Sequence, residues 1–213
     1  MRKVLASTFL SLDGVMQAPG GPDEDRTGGF SLGGWIAPHG DESTGATIGE
    51  LFAAPFDLLL GRKTYDIFAG YWPGIEADPK EHAVSDMAAN IARLFNSATK
   101  YVATHSPETL AWQNSRGLGE DVPAAVRKLK QGEGPTLLIQ GSSELIQTLL
   151  AHGLIDEMRL LIFPVILGRG KRLFGTDAIP AAFRLTRSAT SGTGVLMATY
   201  ERTGKVPTGL AGK

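Results

Sequence analysis

Residues 136–174 constrain the fold more than any other part of the chain. They open with an apolar run, residues 136–140, whose lack of polar alternation is typical of a strand buried on both faces. A turn of small residues, 141–143, follows. The residues from 144 onward are predicted to form a helix that ends at Gly153. The apolar side chains between share one helical face: Leu145, Ile146, Leu149 and Leu150. The pattern predicts a strand, a tight turn and a helix, as in a parallel α/β sheet.

The turn at residues 141–143 is a candidate anion site. Backbone N–H groups and the helix dipole favour a phosphate at a helix N-terminus, and Ser142 or Ser143 is a candidate N-cap. Residues 168–172, a loop with three cationic side chains, can also face an anion. The alternative is an ordinary strand–helix connection, since the turn matches neither the dinucleotide fingerprint nor a P-loop.

Composition narrows the class of protein. With 213 residues, of which 42% are hydrophobic and 20% charged, the chain can bury a large core. We expect one domain over residues 1–203 and a flexible tail over residues 204–213. The absence of cysteine excludes thiolate metal sites, and we expect a soluble, cytoplasmic protein. The net charge of -1 and the lack of a long apolar run argue against nucleic-acid and membrane partners.

The apolar patterns predict alternating strands and helices. Besides 136–140, strands are predicted at residues 3–11, 57–61, 100–104, 158–167, 183–191 and 195–202. Helices are predicted at residues 41–54, 62–68, 79–98 and 121–130 and from residue 144 onward. This order predicts an α/β fold of three layers, αβα. Its mixed sheet is expected to be mostly parallel, with antiparallel strands at the C-terminal end.

A long loop without periodicity, residues 17–40, follows the first strand and its Asp13-Gly14 turn. The loop contains Phe30 and Trp35, which are too apolar for plain disorder. Because a loop of this length in a compact domain is usually functional or disordered, we expect it to cover a pocket. An ordered surface loop is the alternative.

Two further strand ends carry side chains that can bind anions. Residues 62–64 (Arg-Lys-Thr) open a helix, and residues 104–106 (Thr-His-Ser) follow another strand. The carboxyl ends of parallel strands meet at one edge of a sheet, so both segments and the 141–143 turn can face one crevice. Such a crevice suits a phosphorylated dinucleotide. For residues 62–64 the alternative is a solvated basic loop.

The sequence offers little for metal or nucleophilic chemistry. Its four histidines are scattered, none at ligand spacing, so no metal site is predicted. The G-x-S-x-G elbow of serine hydrolases is absent. Hydride transfer from a nicotinamide needs neither feature, because it depends on positioning in a dry pocket.

Three segments carry a resemblance to a known family: SLDGV (11–15), LLLGRKTYDIFAGYWP (58–73) and IQGSSELIQTLLAHGLIDEMRLLIFPVILGRGKRLF (139–174). The chain resembles the dihydrofolate-reductase-like family, and in particular a stand-alone form of the reductase domain of the riboflavin-biosynthesis deaminase–reductase. The deaminase zinc motif is absent. The resemblance implies an NADPH-dependent oxidoreductase of a small heterocycle, similar to 5-amino-6-(5-phosphoribosylamino)uracil reductase or to a pterin or dihydrofolate reductase. A non-catalytic NADP(H)-binding or sensor protein is the alternative.

The resemblance also implies site residues and a partner. The expected cofactor contacts are Asp13, Gly14, Gly61, Arg62, Lys63, Thr64, Thr104, His105, Gly141, Ser142, Ser143 and Glu144. Arg62 is expected at the 2′-phosphate, and residues 141–144 at the pyrophosphate. Relatives often have Ser-Arg where this chain has Thr104-His105, which weakens the expectation of NADPH selectivity. A homodimer through the C-terminal strands is also expected, with residues 160–167 beside the final hairpin pairing edges.

The substrate side of the site is less defined. Asp41 and Glu42 are the candidate catalytic acids, since they begin the helix that carries the substrate-binding acid in relatives. The alternative is that both only stabilise the helix N-terminus. Trp35, Tyr65 and Trp72 are candidate walls of the substrate pocket or, equally, core residues.

Overall fold

The computed structural model describes residues 1–77, 84–176 and 178–210. The strands over these residues are β1 Val4–Ser11, β2 Phe56–Gly61, β3 Lys100–Ala103, β4 Ser115–Gly117, β5 Thr136–Gln140, β6 Glu157–Phe163, β7 Ala182–Thr190 and β8 Leu196–Gly204. The α-helices are α1 Glu42–Phe52, α2 Arg62–Ala77, α3 Asp86–Ser97, α4 Val122–Gln131 and α5 Ser143–Ala151.

The eight described strands form one mixed sheet in the order β4-β3-β2-β5-β1-β6-β8-β7. The six strands from β4 to β6 pair in parallel. The last two, β8 and β7, are antiparallel to their neighbours. The predicted sheet is therefore confirmed, and the carboxyl ends of β2, β3, β5, β1 and β6 meet at one edge.

Helices cover both faces of the sheet. On one face, α4 and α5 pack through apolar stripes that include Val126 and Leu149. On the other face, α1, α2 and α3 enclose an aromatic cluster that includes Phe52, Tyr65 and Phe95. A third apolar cluster lies under residues 17–40, where Phe30 and Trp35 pack with Phe163. The predicted three layers are present.

The elements differ from the prediction at their ends. β6 stops at Phe163 rather than at residue 167, because Pro164 has no N–H to continue the ladder. β4 was not predicted, since its three residues, Ser-Arg-Gly, show no apolar alternation. α2 continues well past residue 68. α3 begins after a Ser85 cap, and residues 79–83 of the predicted helix lie outside the described residues.

The described residues contain neither a membrane-spanning helix nor a cluster of metal-binding side chains. None of the helices found there is long and apolar enough to cross a membrane. Across the same residues, no three acidic or imidazole side chains come together as a metal site would require.

Candidate functional site

The turn after β5 lies against the end of β2. Gly141 and Ser142 both adopt left-handed backbone conformations, with φ of 69° and 62°. The Gly61 N–H donates to the Ser142 Oγ at 3.0 Å. A Cβ on Gly141 would lie 3.4 Å from the Thr64 Cγ2, an ordinary contact distance, so glycine is favoured here by its positive φ. The structure thus brings together two of the three predicted anion-binding segments.

The N-terminus of α5 opens onto this turn. Ser142 occupies the N-cap position, as predicted, but its hydroxyl is bonded to Gly61, and within the described chain no side chain caps the helix. The first N–H groups of α5, beginning at Ser143, therefore lack a side-chain acceptor. Such groups are suited to an anion. Glu144 lies in the first turn and is exposed.

Arg62 joins the ends of β2 and β3. Its Nη1 donates to the Thr104 Oγ1 at 3.3 Å and to the Thr109 Oγ1 at 2.6 Å. Its Nε donates to the Asp66 carboxylate at 2.8 Å, and this pairing raises the pKa of Arg62. A cleft of about 420 Å³ opens here, lined by Arg62, Ala103, Thr104, His105, Ser106 and Thr109. The third predicted segment is thus connected to the other two.

Thr109 also belongs to this cleft, although it is not among the predicted site residues. It lies in a short helical turn, Pro107–Thr109, that follows β3. Its hydroxyl donates to the Ser106 carbonyl at 2.7 Å. No motif marks this threonine, and only the folding of the turn against the N-terminus of α2 brings it to Arg62.

Lys63 is directed at the long loop rather than at the cleft. Its Nζ lies 2.9 Å from the Asp25 Oδ1, and the Lys171 Nζ lies 2.8 Å from the other oxygen of the same carboxylate. The Asp25 side chain is only 8% exposed. Burial alone would raise the pKa of Asp25, but hydrogen bonds from Lys171, Thr27 and Lys63 together hold it well below its usual range. Asp25 thus connects residues 17–40 to two other segments.

Asp13 fixes the loop that follows β6 to the end of β1. Its carboxylate accepts from the Ser11 hydroxyl at 2.6 Å and from the N–H groups of Leu167 and Gly168 at 3.1 and 3.0 Å. The Ser11 hydrogen bond is the largest of the contacts that lower the pKa of Asp13 to about 2. The Arg172 guanidinium also contacts this carboxylate. Asp13 and Gly14 lie at the same sheet edge as Gly141, with β1 beside β5.

Asp41 and Glu42 lie farther along the sheet edge. Asp41 is the N-cap of α1, where its Oδ1 accepts the Thr44 N–H at 2.9 Å, and its Oδ2 accepts the Thr193 N–H at 3.3 Å. The Thr44 N–H is the first of several donors that hold the pKa of Asp41 well below its usual range. Glu42 is exposed. The structure does not place either residue beside the Arg62 cleft, and their catalytic role stays a prediction.

The three aromatic candidates lie in two different apolar clusters. Tyr65 is buried, and its hydroxyl accepts the Trp112 N–H at 2.8 Å. Trp72 packs against Phe95 on the same side of the sheet. Trp35 lies under the long loop, where its Nε1 donates to the Gln17 carbonyl at 2.8 Å. All three are integrated into the core, and the structure does not assemble them into one wall.

Sequence comparison agrees with this architecture. The sequence model of the RibD C-terminal domain matches residues 2–197. The chain belongs to the RibD C-terminal domain family. Its predicted family is thereby confirmed.

Three similar proteins extend the comparison of this RibD C-terminal domain. The uncharacterized protein YyaP of Bacillus subtilis strain 168 is 31% identical over 147 residues, which cover 69% of this chain and 74% of YyaP. A Shewanella sp. PV-4 protein, assigned provisionally to riboflavin biosynthesis, has a TM-score of 0.61 at 20% identity, covering 94% of this chain and 99% of that one. Enterococcus faecalis dihydrofolate reductase, complexed with NADP(H) and RAB-propyl, has a TM-score of 0.56 at 13% identity, covering 94% and 96%. The fold is dihydrofolate-reductase-like, as predicted.

Proposed function

We propose that this chain is an NADPH-dependent reductase of a small heterocyclic substrate. One observation carries the proposal: hydrogen bonds join the ends of β2, β3 and β5 into a single edge, which we assign to the cofactor phosphates. The Gly61 N–H donates to Ser142 at 3.0 Å, and Arg62 donates to Thr104 at 3.3 Å. Membership of the RibD C-terminal domain family supports a reductase-type protein, and a dihydrofolate reductase of similar fold is complexed with NADP(H).

The residues at this edge fit a phosphorylated dinucleotide. The N-terminus of α5 has no side-chain cap among the described residues, and Gly141 leaves room that a side chain would fill. In the proposal, residues 141–144 hold the pyrophosphate, and Arg62 holds the 2′-phosphate with the hydroxyls of Thr104 and Thr109. A bound NADPH would supply the hydride. The helix dipole and the guanidinium supply the positive potential that two phosphate groups require.

The long loop serves in this proposal to exclude water from the reacting groups. Asp25 holds it against Lys63 and Lys171, and the Gln17 Nε2 donates to the Asp25 carbonyl at 3.0 Å. Closed loops strengthen electrostatic interactions and keep substrates oriented. Because Lys63 is paired with Asp25, a cofactor phosphate has to compete with the Asp25 carboxylate for the Lys63 ammonium group.

A non-catalytic NADP(H)-binding or sensor protein is the second candidate. It is favoured by the use of Asp41 as a helix cap, because the same hydrogen bonds hold the pKa of this candidate acid well below its usual range. Both candidates require the same cofactor edge, so only turnover separates them.

We further propose a homodimer formed along β7. The expected contact through residues 160–167 is not available as an edge, because β6 lies between β1 and β8. β7 is the last strand of the sheet, and seven of its nine residues are exposed, including Leu185. An unpaired edge strand can pair with a second copy of itself. Light scattering after size exclusion, compared with a Leu185→Lys variant, tests this arrangement.

Turnover tests the proposed function. The purified protein is mixed with NADPH and, separately, with dihydrofolate, a dihydropterin and a ribosylaminopyrimidine, and the loss of reduced nicotinamide is followed with the product mass. Reduction of one heterocycle is the expected result. NADPH binding without reduction of any substrate class would favour the sensor candidate, and absence of NADPH binding would overturn both.

A further inference from the structure

Two neighbouring strands in the middle of the sheet carry polar side chains without partners. Ser7, which is 1% exposed, lies in β1, and Gln140 is the last residue of β5. Within the part of the chain that the structure describes, the Ser7 Oγ and the Gln140 Oε1 are buried and have no hydrogen-bond partner. Buried polar groups are normally paired, so both atoms point to a missing hydrogen-bonding molecule.

The two side chains lie next to each other on one face of the sheet. β1 and β5 pair in parallel, with Ser7 opposite Gln140 and Leu5 opposite Leu138. Leu5 and Leu138 both pack into the cluster beneath α2 and α3. Because side chains two positions apart share a face, Ser7 and Gln140 face the same side, nearer the carboxyl edge.

Apolar side chains surround this pair. Phe9, the next residue on the same face of β1, packs into the cluster under the long loop, and Ile48 of α1 packs against both clusters. Phe9, Ile48 and Gln140 are each only partly buried. A few convergent polar groups among apolar side chains are the usual composition of a small-molecule site.

The polar pair carries no net charge. A hydroxyl and a carboxamide can each donate and accept a hydrogen bond. Arg159 lies opposite Ser7 on β6, but its Nε donates to the Glu157 Oε1 at 2.8 Å, so its charge is already paired. The complementary ligand group is therefore neutral and presents a donor beside an acceptor.

We propose that Ser7 and Gln140 form the floor of a subsite that binds the lactam edge, adjacent ring N–H and C=O groups, of a neutral heterocycle. The inference rests on the proposed function, because Gln140 directly precedes the Gly141–Ser142 turn assigned to the cofactor. It names the part of the substrate that the chain recognises, and it assigns that recognition to two residues outside the cofactor edge.

The test uses matched variants that remove one polar group each. Ser7→Ala and Gln140→Met remove the proposed contacts. Thr8→Val is the control, since the Thr8 hydroxyl is also buried without a partner in the described residues but faces the opposite cluster with Ala6 and Leu10. None of these changes breaks a side-chain hydrogen bond seen in the structure, so all three variants are expected to fold, which thermal unfolding verifies.

The readout is the side-chain amide signal of Gln140 in a ¹⁵N-labelled protein, identified by its loss in Gln140→Met. Uracil and pterin are titrated separately, without cofactor. At least one probe is expected to shift this signal in the wild type. The affinity for that probe is then measured in all four proteins by titration calorimetry, and it is expected to fall about tenfold in Ser7→Ala and Gln140→Met and to stay unchanged in Thr8→Val. Absence of any shift, or equal affinity in all four proteins, would overturn the subsite.

Failure of the subsite is distinguishable from failure of the proposed function. If uracil or pterin shifts the Gln140 signal of the wild type but NADPH does not bind, the subsite is supported and the reductase assignment is rejected. If the wild type reduces a heterocycle and the KM is unchanged in Ser7→Ala and Gln140→Met, the reductase assignment is supported and the subsite is rejected.

Discussion

Asp41 caps the N-terminus of α1, and this role does not favour its use as a proton donor. Its Oδ1 accepts the Thr44 N–H at 2.9 Å, while the Thr44 hydroxyl accepts the Asp41 N–H at 2.9 Å, and together these bonds form a capping box. Because these donors hold the pKa of Asp41 well below its usual range, the group is ionised at neutral pH. A proton donor for hydride transfer needs a pKa nearer the working pH.

Two substitutions at Asp41 separate capping from catalysis. Asp41→Ala is expected to lower the free energy of unfolding, since alanine cannot cap, whereas Asp41→Asn retains the cap. Denaturant unfolding measures both. If Asp41→Asn folds normally and loses turnover, the carboxylate has the catalytic role that the sequence suggested, and if it keeps turnover, capping is its role.

Lys100 is a buried cation at the first residue of β3, the strand whose other end leads to Thr104. It is 0% exposed, its Nζ donates to the Asn96 and Gln113 carbonyls at 2.7 and 3.1 Å, and it lies 4.2 Å from the centre of the Trp112 ring. Burial lowers the pKa of Lys100 from 10.5 to about 8. Between these values the unfolded chain binds more protons than the folded one, so raising the pH favours the folded state.

Stability is therefore expected to depend on pH through Lys100. From about pH 8 to about pH 10, the free energy of unfolding of the wild type should rise relative to that of Lys100→Met, by at most about 1.4 kcal/mol per pH unit. Urea unfolding of both proteins across this range measures the difference. A difference that stays constant with pH would show that Lys100 does not titrate in this window.

At the scale of elements, the loop of residues 17–40 is fixed by one carboxylate. Asp25 accepts from Lys63 at the start of α2 and from Lys171 in the loop after β6, and the Lys171 N–H donates to the Gln17 Oε1 at 3.0 Å. Three segments distant in sequence thus meet at a nearly buried side chain. Removing one partner of a buried charge group is costly, because the remaining charges lose their compensation.

Asp25→Asn is expected to loosen this loop. Hydrogen exchange of amides in residues 17–40 should become about tenfold faster, with the sheet unchanged, because local opening loses its main ionic restraint. Asp23→Asn is the matched control, since the ion pair of Asp23 with Arg26 is largely exposed and contributes little. Equal exchange in Asp25→Asn and the wild type would mean that apolar packing of Phe30 and Trp35 holds the loop without Asp25.

At the scale of the whole molecule, patterns of local sequence predicted the layers and most elements. Buried faces require apolar residues, as in the run of residues 136–140 and in the helical stripe with Val126 and Leu129. The spacing of apolar residues in the sequence therefore predicts these elements directly. β4 escaped prediction because its three residues are paired to β3 only through the backbone. The end of β6 was placed too late because the apolar run continues past Pro164.

The candidate site was predictable to the extent that strand ends meet in a parallel sheet. The proximity of Gly61 to Ser142 and of Arg62 to Thr104 follows from strand order and from the family resemblance. The partners of Lys63, and the positions of Thr109 and of the Ser7–Gln140 pair, depend on tertiary contacts between distant segments. No local pattern in the sequence encodes such contacts.

The central claim is that Arg62 and the α5 N-terminus form an NADPH site, and equilibrium titration with NADPH and NADH tests it most directly. The wild type is expected to bind NADPH at least about tenfold more tightly than NADH. This difference in affinity should decrease as salt is added. Arg62→Ala should lose this difference, while Arg127→Ala, which removes an exposed arginine of α4, should retain it. Absence of binding to either nucleotide, or full NADPH preference in Arg62→Ala, would contradict the account.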